Sequence, residues 1–243
     1  MPTFIATADA NGDFTVPFLA SYTAGQKITV TAEKDSAIKT IELYAPSDTT
    51  GGVLSFGGSL LDFPLNITSV TIKQISGSIS NEAFSASGSP GSFMNSAKSL
   101  VIDCPIVNIN FYAFTGWTLI TSVQFPNTLA NIGEGAFYSC NALTSLVFPN
   151  SLQTIGQDAF NNCTSILNIT FGTGLTSIGA NAFAYLGNAV SVTCLAATPP
   201  TIQASTFTGI KSTVKYYVPS ASLAAYKAAN IWKTFASKIY AIP

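Results

Sequence analysis

The chain has 243 residues, of which 47% are hydrophobic and only 9% are charged, and its formal net charge is −1. It contains no histidine, and all ten of its cationic residues are lysines, so the commonest general base and metal ligand is missing. The near-neutral charge argues against nucleic acid as a partner, and no apolar run reaches the roughly 18 residues needed for membrane insertion.

The first 46 residues are predicted to form a small β-rich N-terminal module. Segments rich in β-branched and aromatic residues, separated by polar turn sequences, predict strands at 4–8, 14–19, 27–33 and 39–44. Parts of this region, at 9–16 and 24–32, resemble bacterial immunoglobulin-like modules. A complete sandwich of that kind needs about 100 residues, so we expect an abbreviated β-unit packed on the first repeat. A connection rich in serine, threonine and glycine is predicted at 47–63.

A repeat of 23 residues dominates the rest of the chain, with about six units predicted over 64–210. The phenylalanines that end the units are Phe84, Phe114, Phe137, Phe160, Phe183 and Phe207. The middle four are each 23 residues apart, and an isoleucine precedes every one of the six by five positions. The first interval is longer, because a Ser/Gly/Pro loop is inserted near 85–92. A fixed period of this length predicts a solenoid, since no single unit can bury its apolar residues alone.

Each unit is predicted to contain two extended pieces and a short helical turn. In one unit the strand 145–148 is ended by a proline, which cannot continue a ladder. A second extended piece, 152–155, precedes Gly156, which we expect to permit a sharp corner. Residues 158–163 are then expected to form a turn of helix. Asp158 would start this turn, where a carboxylate can accept bonds from free backbone N–H groups.

The repeated unit resembles a known class of repeat. The pattern Leu-x-x-Leu-x-Phe-Pro-x-Ser-Leu-x-x-Ile-Gly-x-x-Ala-Phe-x-x-Cys is matched almost completely by residues 143–163 and nearly so by residues 120–140. It is similar to the BspA-like class of bacterial leucine-rich repeats, and the resemblance covers residues 64–243. This resemblance implies a leucine-rich-repeat solenoid, mostly β with short helical turns. It also implies a bacterial protein of the cell surface or secreted fraction, used for adhesion or partner recognition.

Residues 211–243 are predicted to form a C-terminal helical cap, and they too are similar to the closing segment of many BspA-like proteins. Pro219 and the serines after it can start a helix. Its Leu223, Tyr226 and Trp232 could cover the apolar end of the last unit. The segment carries five lysines and no acidic residue. We interpret this charge as a solvated end in preference to a binding patch.

The four cysteines are predicted to be free thiols. Cys140 and Cys163 occupy the same position in adjacent units, at a spacing that a disulfide could bridge. Parallel side chains in a ladder point the same way, however, so a buried thiol column is favoured. Cys194 takes the place of an inward phenylalanine, and Cys104 follows a strand. Neither a C-x-x-C pair nor a histidine supports a zinc site.

No catalytic, metal-binding or cofactor-binding residues are predicted. Serines are plentiful, but no histidine can act as their base, and no local motif supports a Ser–Lys pair. Between Gly135 and Ile210 the only charged residue is Asp158, so the paired carboxylates of a glycosidase are hard to place. Glycine motifs for phosphates or dinucleotides are missing, and we expect no cofactor.

The remaining candidate site is the outward face of the first strand of each unit. Alternation along those strands predicts these outward positions: Ser69, Thr71, Ser99, Val101, Ser122, Gln124, Ser145, Val147, Asn168, Thr170, Ser191 and Thr193. Such hydroxyls and amides could bind a neutral glycan or a protein, although a solvated sheet face needs the same residues. Tyr112, Tyr138 and Tyr185 could form an exposed aromatic edge elsewhere, whereas Trp117 is expected inside.

These observations favour a non-catalytic binding or adhesion protein whose partner is a host or bacterial surface protein or a glycan. Oligomeric state is left open. The alternative is a component of a phage or prophage particle, such as a tail or receptor-binding protein, because the chain starts with Met1 and shows no signal peptide. An enzyme ranks third.

Overall fold

The computed structural model describes residues 97–243 without a gap. Before them it describes residues 77–79, 81, 84 and 85 and the five strands nearest the N-terminus. The connection predicted at 47–63 and all but the first residue of the loop predicted at 85–92 lie outside the described residues. The described residues therefore include most of the predicted repeats and the whole C-terminal segment.

The N-terminal strands are β1 (Thr3–Thr7), β2 (Phe14–Pro17), β3 (Lys27–Lys34) and β4 (Ala37–Tyr44). They overlap the four predicted strands. β3 pairs antiparallel with β4 and parallel with β1, which gives a sheet ordered β1-β3-β4. β2 instead pairs in parallel with β5 (Ser69–Lys73), the first strand of the repeats. The immunoglobulin-like assignment and the boundary of the small N-terminal module at residue 46 stay predictions.

Each of the first five repeats contributes one strand to each of two parallel ladders, and the sixth contributes a strand to the first ladder and an isolated bridge at Thr201 to the second. The first ladder continues from β5 with β7 (Ser99–Asp103), β9 (Ser122–Gln124), β11 (Ser145–Val147), β13 (Asn168–Phe171) and β15 (Ser191–Cys194). It consists of two hydrogen-bonded sheets, because β9 is the last strand of one and β11 the first strand of the next. The second contains β6 (Gly77–Ile79), β8 (Ile106–Ile109), β10 (Asn131–Ile132), β12 (Thr154–Ile155) and β14 (Ser177–Ile178). Equivalent residues of neighbouring units face each other, as Leu146 does Ile169. The predicted repeat architecture, mostly β with stacked strands, is confirmed, and the strands of neighbouring units are parallel.

Aromatic columns form the centre of the core. The rings of Phe137 and Phe160 stack with centroids 5.1 Å apart and an interplanar angle of 4°, and Phe160 stacks on Phe183 at 5.4 Å. A second column contains Phe148, whose ring meets Phe160 edge-on at 5.4 Å. All four rings are buried. Stacked and edge-to-face contacts are both favourable ring geometries, so each unit completes the core of the next.

The corner after the second strand is a turn, and the predicted helix at 158–163 is wrong. Asp158 has φ +53° and Asn162 has φ +64°, and a helix cannot contain residues in this left-handed region. The same two positions are left-handed in neighbouring units, for example at Asn181 and Tyr185. Asp158 is therefore not a helix start. Its carboxylate accepts hydrogen bonds from the side chains of Asn161 (2.7 Å) and Gln157 (3.1 Å).

Close stacking of the units requires Gly156. The sequence predicts that this glycine permits a sharp corner, whereas the structure gives it a different role. A Cβ atom at this position would lie 2.7 Å from the backbone of both Gly133 and Glu134 in the preceding unit. Gly179 stands in the same relation to Gly156 and Gln157. The glycine column therefore lets the backbones approach more closely than any side chain would allow.

The C-terminal segment combines helices with two strands that were not predicted. β16 (Lys215–Val218) is followed by a 3-10 turn at Ser220–Ser222, by α1 (Leu223–Ala228), by a 3-10 helix at Trp232–Lys238 and by β17 (Ile239–Ala241). The predicted helix is present. β16 pairs in parallel with β15, and β17 pairs with β16, so both strands extend the first ladder. Tyr226 and Trp232 are fully buried.

Candidate functional site

Two rows of outward side chains cross the first ladder. The register of β11, β13 and β15 places Ser145, Asn168 and Ser191 in one row and Val147, Thr170 and Thr193 in the other. Ser122 and Gln124 of β9 face Ser99 and Val101 of β7, which in turn face Ser69 and Thr71 of β5. We call the outward positions of β7, β9, β11, β13 and β15 the first face. Its alternation is regular, because the residues between the rows are buried, as Leu146 is, or partly buried in the case of Val123.

The first face is accessible along its length. Ser122, Gln124, Ser145 and Asn168 are exposed, and Thr170, Ser191 and Thr193 are half-buried. Val147 is 67% exposed, the largest value among the exposed bulky hydrophobic residues of the described chain. A polar surface with an uncovered apolar side chain at its centre can offer a partner both hydrogen bonds and a small hydrophobic contact.

The hydrogen-bonding groups of the first face are largely unused. Five polar residues of this face have side chains that make no hydrogen bond within the described protein: Ser122, Gln124, Ser145, Thr170 and Thr193. The hydroxyl of Ser191 donates to the side-chain oxygen of Asn168 at 2.7 Å. This face therefore keeps most of its donors and acceptors available to water or to a ligand.

The opposite side of the repeats uses the same residue types differently. We call the outward positions of β6, β8, β10, β12 and β14 the second face. There the amide of Asn108 donates to the Ser78 hydroxyl (2.8 Å), and the amide of Asn131 donates to the side-chain oxygen of Asn108 (2.8 Å). The Thr154 hydroxyl then donates to Asn131 (2.6 Å). This ladder is satisfied internally, which makes the first face the better candidate for recognition.

Sequence reasoning missed the C-terminal end of the first face. Because β16 and β17 extend the ladder, Tyr217 lies opposite Thr193, and Tyr240 lies opposite Tyr217. Lys215 lies opposite Ser191 in the other row. The alternating exposed and buried residues of β16 repeat the pattern of β15. This alternation is visible only in the structure, because the adjacent Tyr216 and Tyr217 give the sequence no alternation of polar and apolar residues.

The two outward tyrosines and the lysine form a small aromatic and cationic group. The rings of Tyr217 and Tyr240 have centroids 6.1 Å apart and are tilted by 41°. The Lys215 ammonium lies 5.8 Å from the centroid of the Tyr240 ring, within the range of a cation–π contact. Tyr240 is 43% exposed, so its ring remains available to solvent.

The tyrosines predicted to form an aromatic edge near the corner differ in exposure. Tyr185 is 58% exposed, whereas Tyr112 and Tyr138 are half-buried. Partial burial and the nearby carboxylates of Glu134 and Asp158 raise the pKa of Tyr112, because both disfavour its ionised form. Trp117 is completely buried, as predicted, and its indole N–H donates to the Phe84 carbonyl at 2.7 Å.

The four cysteines are buried free thiols. The thiol of Cys140 donates to the Phe114 carbonyl (3.4 Å), and that of Cys163 to the Phe137 carbonyl (3.2 Å), so each reaches the preceding unit. Burial raises the pKa of the Cys140 thiol well above its ordinary value, and the hydrogen bond with Cys163 raises it further. Because a nucleophilic cysteine needs an accessible thiolate, these thiols are structural.

Other kinds of site find little support in the described residues. No group of three or more histidine, cysteine, aspartate or glutamate side chains there could hold a metal ion. A helix long and apolar enough to cross a membrane is likewise missing from that part of the chain. The first face is therefore the candidate functional site.

Comparison with known sequences matches residues 89–214 to the BspA type leucine rich repeat region, in six copies. No curated protein matches the chain at a significant level. Among solved structures, the chain is similar to the leucine rich repeat protein of T. pallidum, with 20% identity and a TM-score of 0.44, over 82% of this chain and 87% of that one.

The chain is also similar to the pneumococcal vaccine antigen PcpA, with 18% identity and a TM-score of 0.53. The match covers 87% of this chain and 48% of the pneumococcal one, so this chain spans about half the length of that protein. At such low identity the likeness concerns the fold alone.

Proposed function

The chain belongs to the BspA type leucine-rich-repeat family, and from this premise we propose that it is a non-catalytic binding or adhesion protein of the bacterial cell surface or secreted fraction. Its partner is a host or bacterial surface protein or a glycan, which it contacts through the first face. The central residues of this contact are Ser122, Gln124, Ser145, Val147, Asn168, Thr170, Ser191 and Thr193.

The observation that carries this proposal is the difference between the two faces. Both present serine, threonine and asparagine, but the second face bonds its side chains to one another, as Asn131 does to Asn108 at 2.8 Å. On the first face Gln124, Ser145 and Thr170 have no such partners among the described residues. An external ligand can therefore bond to these side chains without breaking bonds inside the protein.

We further propose that the repeats form a solenoid closed by a C-terminal cap. Phe207 ends the last unit, and the ring of Trp232 lies 6.1 Å from it. Tyr226 and Trp232 are fully buried there, with hydroxyl and indole donors bonded to backbone carbonyls. Such a covering removes an apolar end that would otherwise be exposed to other chains.

A non-catalytic role is supported by the state of the reactive side chains. The thiols are buried, and burial raises the pKa of Cys194, against the lowering effect of the Tyr226 hydroxyl bonded to it. No contact or charge among the described residues favours the alternative, a component of a phage particle. Genomic neighbours separate the two, since tail genes would accompany a particle component and export genes a surface protein.

The experiment is a binding array of host-matrix proteins and glycans, probed with the full chain and with the variant Val147→Lys. A lysine at the centre of the face adds charge to a surface that a partner must desolvate, so we expect about a tenfold loss of signal. The matched control is Gln153→Lys, which adds the same charge at an exposed position just before β12 in the second ladder.

Two results would contradict the proposal. Equal losses for Val147→Lys and Gln153→Lys would place binding elsewhere. A blank array combined with hydrolysis of any substrate would favour an enzyme.

A further inference from the structure

We propose that the C-terminal end of the first face binds a carboxylate-bearing oligosaccharide through Lys215, Tyr217 and Tyr240. This inference rests on the proposed function and specifies its ligand class. It also changes the interpretation of the lysine-rich C-terminus, which the sequence favoured as merely solvated.

The register of the strands brings two aromatic rings together at this end of the first face. β15, β16 and β17 are consecutive in one parallel ladder, with Thr193 opposite Tyr217 and Tyr217 opposite Tyr240. The row of Val147, Thr170 and Thr193 on the first face therefore ends in two adjacent rings, whose centroids are 6.1 Å apart. Flat aromatic rings beside a hydroxyl-rich surface suit a sugar ring, which has an apolar C–H face and a rim of hydroxyls.

The charge at this end of the first face is positive. Lys215 is exposed, forms no ion pair within the described residues, and lies 5.8 Å from the centre of the Tyr240 ring. None of the strands β11, β13, β15, β16 and β17 carries an acidic residue. Residues 211–243 hold five lysines and no acid. This end of the face is therefore complementary to an anion, and the cation–π contact keeps the ammonium beside the stacking ring.

The surroundings of Lys215 and Tyr217 favour a glycan over an acidic peptide. An extended peptide usually binds a sheet by adding to a free edge, where backbone groups are available. Tyr217 and Lys215 lie on β16, whose backbone is paired with β15 on one side and with β17 on the other. At Lys215 and Tyr217 only side chains are therefore offered, whereas Tyr240 lies on β17, the end strand of the sheet. The neighbouring side chains of Thr193 and Ser191 carry hydroxyls that match the hydroxyls of a sugar.

The test uses calorimetric titration of the full chain with tetragalacturonate and with sialyllactose, each as the free acid and as its neutral methyl ester. We expect the acid of at least one probe to bind about tenfold more tightly than its ester, because only the acid pairs with Lys215. Raising the ionic strength should reduce this preference, since salt screens exposed charges.

Variants locate the site. Lys215→Gln should weaken the acid about tenfold and leave the ester unchanged, whereas Tyr240→Ala should weaken both forms, because stacking does not depend on the carboxylate. The matched control is Lys233→Gln, which removes an exposed lysine from the 3-10 helix and should change neither affinity. Circular dichroism confirms that each variant is folded.

Several outcomes would overturn the inference. These are no binding of either acid, equal binding of acid and ester, equal losses for Lys215→Gln and Lys233→Gln, or tighter binding of a polyglutamate peptide at the same residues. Its failure is distinguishable from failure of the proposed function. If both acids fail while Val147→Lys still lowers the array signal about tenfold, the face is a recognition site for another ligand.

Discussion

The repeats and the C-terminal segment bury aromatic side chains in different ways. In the repeats each ring stacks on its own copy, as Phe114 does on Phe137 at 5.1 Å with an interplanar angle of 13°. At the C-terminal end Phe207 meets Tyr216 at 70° and Phe235 at 88°. The last unit has no further copy to stack on, so its apolar surface is covered by unlike rings at their edges.

Hydrogen bonds show the same contrast. In the repeats one bond recurs, since the thiols of Cys140 and Cys163 and the indole of Trp117 each donate to the carbonyl of a phenylalanine one unit before. In the C-terminal segment the hydrogen bonds have no equivalent in other units, and one example is the bond from the Trp232 indole to the Pro200 carbonyl at 2.7 Å. The contacts of the repeated core can therefore be predicted from those of one unit, whereas each contact of the closing segment is specific to its own residues.

The largest expected effect tests whether the repeat core is uniform. Phe160→Ala should lower the free energy of unfolding by about 3–5 kcal/mol, because it removes a buried ring and leaves a cavity between two stacked neighbours. Phe137→Ala is the matched variant and should cost about the same, since its ring has equivalent neighbours. Urea denaturation followed by circular dichroism measures both. Costs that differ by more than about 1.5 kcal/mol would show that the columns are not equivalent.

The next effect tests the close approach of the backbones. Gly156→Ala should lower the free energy of unfolding by about 1–3 kcal/mol, because its Cβ would meet backbone atoms that cannot move aside. Gly187→Ala is the control, since nothing lies within 4 Å of a Cβ at that position. Thermal denaturation of the two variants is the measurement. A Gly156→Ala protein as stable as the control would mean that the units can separate at little cost.

The closing segment contains a matched pair of buried tyrosines. The hydroxyl of Tyr226 donates to the Ala196 carbonyl (2.9 Å) and contacts the Cys194 sulfur (3.1 Å), whereas that of Tyr216 has no hydrogen-bond partner among the described residues. Tyr226→Phe should therefore cost about 1–2 kcal/mol of unfolding free energy, and Tyr216→Phe should be neutral or stabilising. Denaturant titration compares them. Equal costs would show that the Tyr216 hydroxyl has a partner, such as a bound water.

The repeat architecture was predictable because a column position demands the same kind of residue every 23 positions. Inward residues such as Phe160 and Cys163 are buried in the structure as the period requires. The corner was not predictable from the same pattern. Its left-handed residues include Asp158, Asn181 and Tyr185, and only the first two are types that favour that conformation.

The C-terminal end of the candidate site was hidden for a different reason. Pro219 and the serines after it predicted a helix near Leu223, and the helix exists. The strands on either side of it are short, at Lys215–Val218 and Ile239–Ala241, and they form because β15 offers an unpaired edge. Pairing with a distant strand is a tertiary effect that local propensity does not report. Lys215 and Tyr240 consequently became part of the first face only in the structure.

The smallest expected effect concerns the corner, where the repeats themselves depart from uniformity. Tyr185 has φ +62°, a conformation that costs most residues energy but that asparagine tolerates, and Asn162 occupies the equivalent position one unit earlier. Tyr185→Asn should therefore raise the free energy of unfolding by about 0.5–1 kcal/mol, because the exposed ring contributes little packing. Tyr185→Phe keeps the strained backbone and should leave stability unchanged. Thermal denaturation compares the two variants. If the asparagine variant is less stable than the phenylalanine variant, the packing of the Tyr185 ring on Gly209 outweighs the backbone strain. This unit would then resemble the closing segment more than it resembles the repeats before it.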